Sequence, residues 1–221
     1  MQFEFPEHHF LSDLKAGFSD LKETQKRIDE LGVTDVNMKN RRDEILPLVS
    51  REKFVSRSMV SAAFSLVEAF SSGLFYTAIH YGRLGNFVCD DEFLRYAKNK
   101  ETAALKGRID KIVRFASQGS GNGESAPFRS FIEIGKHVRD AIHHTTPFER
   151  KDLEAGQRLE ALYNVKTDVA VVCSILALDT VLKISAWLYG ADSDGDIPQT
   201  CQSLRDEIFI FSIEQGIAKP S

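Results

Sequence analysis

Apolar residues return at helical spacing along almost the whole chain, and this periodicity constrains the fold more than any other feature of the sequence. Leu11, Leu14, Phe18 and Leu21 form one stripe, and Met59, Ala63, Leu66, Phe70 and Leu74 form another. Steps of three and four residues put side chains on one face of an α-helix, whereas a half-buried strand needs strict alternation, and no sustained run of that kind occurs. The expected fold class is all-α, an antiparallel helical bundle. With 221 residues, 43% of them hydrophobic, the chain can bury one good-sized core.

The pattern predicts helices over residues 12–31, 38–49, 52–81, 91–116, 128–144, 160–188 and 200–215. Gly32 is a natural stop and Asn37 a candidate cap, while Gly82 and Gly85 end the long third helix. The Gly- and Ser-rich stretch 117–125 reads as a surface loop within the domain. Charge density sets residues 1–51 apart as an N-terminal helical annex, with a bundle over 52–190 and a C-terminal helix or tail, 191–221, packed on it. Ile208-Phe209-Ile210-Phe211 also suits extended chain. The most apolar stretch, 169–189, is broken by Asp179 and Lys183, so a buried helix is expected there and no membrane span.

A net charge of −4, from 32 acidic against 28 basic side chains, gives no global basic footprint, so any contact with RNA has to be local. Cys89, Cys173 and Cys201 are odd in number and widely spaced, which fits neither a disulfide framework nor a zinc site. The first seven residues carry no basic-then-apolar signal. A cytoplasmic protein is the expectation. Asp192-Ser193-Asp194-Gly195-Asp196 lacks the distal glutamate of a calcium loop, so no metal is assigned. Walker, nucleophile-elbow, zincin and Rossmann patterns are absent, and no cofactor is expected.

One cluster carries chemistry. Arg139-Asp140-Ala141-Ile142-His143-His144 closes a predicted helix just before Pro147. Arginine offers a permanently charged planar fork suited to phosphate, and histidine titrates near neutrality. Together they can cut a phosphodiester without metal. The same residues in a last helical turn can also serve only to complement the macrodipole and the orphan carbonyls. At ~100° per residue, Phe131, Ile134, Val138 and Ile142 face inward, Arg139 and His143 share one flank, and His137, Asp140 and His144 share the other. A loosened last turn before Pro147 would swing His144 around.

Arg139, a polar residue at Asp140 and His144 reproduce the Arg-x4-6-His signature, and this chain resembles the HEPN superfamily. The resemblance covers about residues 52–189, with 61–70 similar to the first long HEPN helix, 128–144 to the motif helix and 162–188 to the helix after it. It implies an all-α, HEPN-like bundle and a metal-independent endoribonuclease, of the kind found in toxin-antitoxin, abortive-infection and CRISPR-associated systems. The implied site has Arg139 steadying the scissile phosphate and His144 as acid or base during attack by the RNA 2′-hydroxyl. His143 is the rival for that role and Asp140 an orienting group in place of the common asparagine. A homodimer with the cleft at its interface, and an antitoxin protein, are implied partners. Two readings stand beside it: a non-catalytic HEPN-like module that binds nucleotide, RNA or protein, and a plain helical scaffold.

Overall fold

A computed structural model describes residues 6–32, 40–99, 105–117, 130–132, 165–190 and 195–219. Among these the all-α expectation holds: six helices carry the fold, and the only strands are two of two residues each. Helix α1 (Pro6–Glu30) buries the predicted stripe of Leu11, Leu14, Phe18 and Leu21, and its outer face carries the Arg27–Glu23 and Lys26–Glu30 pairs one turn apart. Each of those four fully buried side chains contributes about 1.5–3 kcal/mol. Helix α2 (Arg42–Tyr81) runs for 40 residues without a break. The two helices predicted over 38–49 and 52–81 are therefore one.

Pro47 lies inside α2, where it removes a backbone donor. Packing against α1 holds the helix through it: Ile45 and Val55 are buried on either side of the proline, and Arg51 is hydrogen-bonded to Asp20 of α1. The division expected at residue 51 thus falls in mid-helix, and α1 shares one continuous core with the rest of the chain.

Gly82 ends α2 in the left-handed conformation (φ 64°), its N–H donating to the Ala78 carbonyl. A hairpin follows, β1 (Arg83–Leu84) against β2 (Phe87–Val88), in the antiparallel register Arg83↔Val88 and Leu84↔Phe87. Gly85, at φ 55°, supplies the positive φ that a two-residue turn requires. Helices α3 (Asp91–Lys98) and α4 (Leu105–Ser117) take the place of the single charged helix predicted there. Asp90 caps α3 by accepting from the Phe93 N–H at 2.6 Å. Phe75, Phe93, Tyr96, Phe115 and Phe87 join edge-on or tilted into an aromatic cluster that fastens these helices and the hairpin to α2.

Helix α5 (Thr167–Tyr189) is apolar nearly all round, as a core helix must be. Its hydroxyls bond inward: Ser174 donates to the Ala170 carbonyl and Thr180 to that of Leu176, both at 2.7 Å. Helix α6 (Asp196–Glu214) keeps Ile208 to Phe211 helical, with Ile208 and Phe211 buried. Four long helices close a ring, α1 on α2, α2 on α5, α5 on α6 and α6 on α1. Glu7 near the start of α1 faces Gly73 near the end of α2, so that pair is antiparallel. Thr167 bonds Glu52, while the chain just beyond α2 meets Leu188, so α2 and α5 run parallel.

The hairpin tip explains how α5 ends. The Asn86 N–H donates to the Leu188 carbonyl at 2.9 Å, satisfying one of the orphan acceptors of the last turn. A Cβ at Gly85 would lie 2.0 Å from that same oxygen. Gly85→Ala is accordingly expected to lose about 3 kcal/mol or more in urea unfolding, from overpacking added to left-handed backbone strain. Gly82→Ala, with φ of the same sign but nothing within 4 Å, should lose only about 1–2 kcal/mol.

Candidate functional site

Arg139, Asp140, His143 and His144 lie outside the described residues, as do His137 and the predicted breaker Pro147. The structure describes what flanks them. Ser130, Phe131 and Ile132 are helical, and Phe131, the first residue of the predicted inward stripe, is fully buried. Its ring stacks on Phe64 of α2, with centroids 4.3 Å apart and planes inclined by 29°. On the far side Val165 is fully buried, and the Thr167 hydroxyl donates to the Glu52 carboxylate at 2.5 Å.

Both flanks of residues 133–164 are therefore fastened to one helix. Phe64 and Glu52 are twelve positions apart, about 18 Å along the axis at helical rise. Phe131 was legible as a core position from its periodicity. Its partner, and the Thr167–Glu52 bond between residues 115 positions apart, carry no local signal.

The remaining titratable groups stand in structural surroundings. Burial pushes the thiols of Cys173 and Cys201 up to about 12, and burial together with the charge of Asp90 pushes Cys89 up to about 11. Thiols held so far above neutrality supply almost no thiolate and are poor nucleophiles. His8 is half-buried with Nδ1 3.9 Å from an Asp196 carboxylate oxygen, His9 is exposed on α1, and His80 packs on the Tyr76 ring at 4.1 Å. Among the described residues no cluster of three or more His, Cys, Asp or Glu side chains could hold a metal ion. Gly195 and Asp196 of the acidic turn begin α6, and 192–194 are outside the described residues.

Two depressions flank α6. One, of about 280 Å³ between α5 and α6, is lined by Val172, Ile175, Leu176, Phe209 and Ile217, with Asp179 and Arg205 at its edge. Arg205 Nε donates to Asp179 at 3.0 Å and a second nitrogen to Asp206 at 3.2 Å. Burial pulls the guanidinium pKa down, but the two carboxylates outweigh it and hold Arg205 above the ordinary arginine range. Its charge is spent within the protein, so the depression offers no free anion site. The other, of about 490 Å³ between α1 and α6, mixes Lys22 and Lys26 with Asp29, Glu30 and Glu214 and selects no charge. Helices α2 and α5 are each long and apolar enough to cross a membrane, yet more than half of each apolar window is buried in the bundle, as in a core helix.

Two outcomes are expected. Phe131→Ala should cost about 3–5 kcal/mol in urea unfolding, because it empties a fully buried aromatic seat. Alkylation of the native protein at pH 8 should leave all three cysteines unmodified, with full reaction only once denaturant is added. Comparison with protein-family models, with curated proteins and with solved structures found no match to this chain.

Proposed function

We propose that this protein is a metal-independent endoribonuclease of HEPN type. The observation that carries the reading is the spacing of Arg139 and His144, with four residues between them at the close of a predicted amphipathic helix. The all-α frame and the burial of Phe131, at the head of that helix's inward stripe, support it. In the reaction, a histidine takes the proton of an RNA 2′-hydroxyl, the 2′-oxygen bonds to the adjacent phosphorus, and the bond from phosphorus to the 5′-oxygen breaks. The departing 5′-oxygen takes up a proton, so the products are a 2′,3′-cyclic phosphate and a 5′-hydroxyl. Arg139 offsets the charge that builds on the phosphate, His144 moves the proton with His143 as the rival, and Asp140 orients an imidazole.

An Arg and a His on divergent flanks of one helix make a poor site alone, and two copies across a two-fold axis can converge. A homodimer is part of the proposal for that reason. A cytoplasmic toxin or phage-defence effector held by an antitoxin is the setting that the resemblance implies. The net charge of −4 favours a second reading, a non-catalytic HEPN-like module binding nucleotide, RNA or a protein, with Arg139 as an anion anchor.

Incubation of the purified protein with RNA in EDTA tests both. Cleavage by the wild type should fall at least about 100-fold in Arg139→Ala and in His144→Ala, and should persist in His143→Ala if His144 carries the proton. Undiminished cleavage in all three variants rejects the site. RNA binding without turnover, lost in Arg139→Ala and kept in both histidine variants, selects the second reading.

A further inference from the structure

Helix α2 carries a large aromatic side chain that the described residues leave exposed. Phe64, Phe70 and Phe75 of this helix are buried, but Phe54 is 63% exposed. Lys53 and Arg57, both half-buried, lie to one side of it, and among the described residues neither forms an ion pair, whereas neighbouring Arg51 is bound to Asp20. Between Leu46 and Ser65 the only acid is Glu52, which is turned away and bonded to Thr167. What this span presents beside the exposed ring is thus basic and hydroxylic, on a chain whose total charge is negative.

Its position is as informative as its composition. Positions 53, 57 and 64 stand at i, i+4 and i+11, one stripe of a helix. Phe64 is the seat of Phe131, and Arg139 follows Phe131 by eight positions in the sequence. The two unpaired cations therefore share a flank of α2 with the contact that fastens the motif-bearing segment, about 10–16 Å along the axis from it.

We infer that this face is a docking track for single-stranded RNA, an inference that rests on the ribonuclease reading above. Phe54 stacks on an unpaired base, and Lys53 and Arg57 pair with the phosphates beside it. An exposed ring beside cations matches a polyanion whose base faces are bare. A duplex hides those faces within its stack, and an apolar protein partner would call for a wider greasy surround than Leu46 and Phe54 provide.

Binding of a fluorescent 2′-O-methyl RNA 20-mer, which lacks the attacking hydroxyl and cannot be cut, separates this surface from catalysis. Phe54→Ala should weaken binding roughly fivefold to a hundredfold, with Phe54→Trp restoring it. The double variant Lys53→Gln/Arg57→Gln should flatten the slope of log affinity against log salt by about 1.4, the share of two phosphate contacts on a single strand. An unchanged melting temperature is expected for Phe54→Ala, since Phe54 is mostly in solvent. Wild-type binding that none of these variants alters overturns the track and leaves the ribonuclease reading standing, while a wild type that binds no single strand overturns both. Equal affinity for duplex RNA, or for polyglutamate with the same dependence on Phe54, also overturns the proposal, the second in favour of an acidic protein partner.

Discussion

The packing of three sides of α2 is the constraint on which the rest of the fold depends. At 40 residues the helix is about 60 Å long, and no single neighbour could cover it. Helix α1 lies antiparallel along one side and α5 parallel along another, and α3, α4 and the hairpin gather around its C-terminal end. Small side chains such as Ala62, Ala63, Ser71 and Ala78 let these neighbours approach closely. The burial gained along this length outweighs the hydrogen bond lost at Pro47, whose interruption would otherwise end a free helix.

Because α2 and α5 run parallel, the connection between them has to travel back the length of the bundle. That return carries the hairpin, α3, α4 and the segment with the Arg139–His144 cluster. Its turning points are secured by specific polar contacts: the Asn86 N–H on the Leu188 carbonyl at one end, and the Thr167 hydroxyl on Glu52 at the other. Each satisfies a group that burial would otherwise leave costly. The same helix that organises the core thus also fixes where the motif-bearing segment leaves and rejoins it, through Phe64 and Glu52. An RNA track at Phe54, as proposed above, would place recognition on that spine.

The stripes of α1 and α2, the buried character of α5 and the inward position of Phe131 were all legible from local spacing, because a helix shows its buried face as a period in its own residues. Boundaries were less legible. The division near residue 51 was read from charge density, and in the structure that position lies within α2, whose core residues join those of α1. Residues 91–116 read as one helix from a continuous charged pattern, where the structure has α3 and α4. The candidate site was legible as a residue constellation alone, since Arg139 and His144 announce themselves by type and spacing.

By itself the sequence determined that the chain is helical, which faces are apolar, and which residues make up the candidate site. Those properties reside in side chains a few positions apart. Tertiary structure decided that two predicted helices fuse into α2, that Gly85 serves the end of α5 as well as its own turn, and that α2 and α5 lie parallel. It also decided that Phe54, one apolar residue among many in its helix, stays in solvent. Periodicity reports that a face is apolar, but what covers that face depends on residues far away in the chain, brought together only when the core closes.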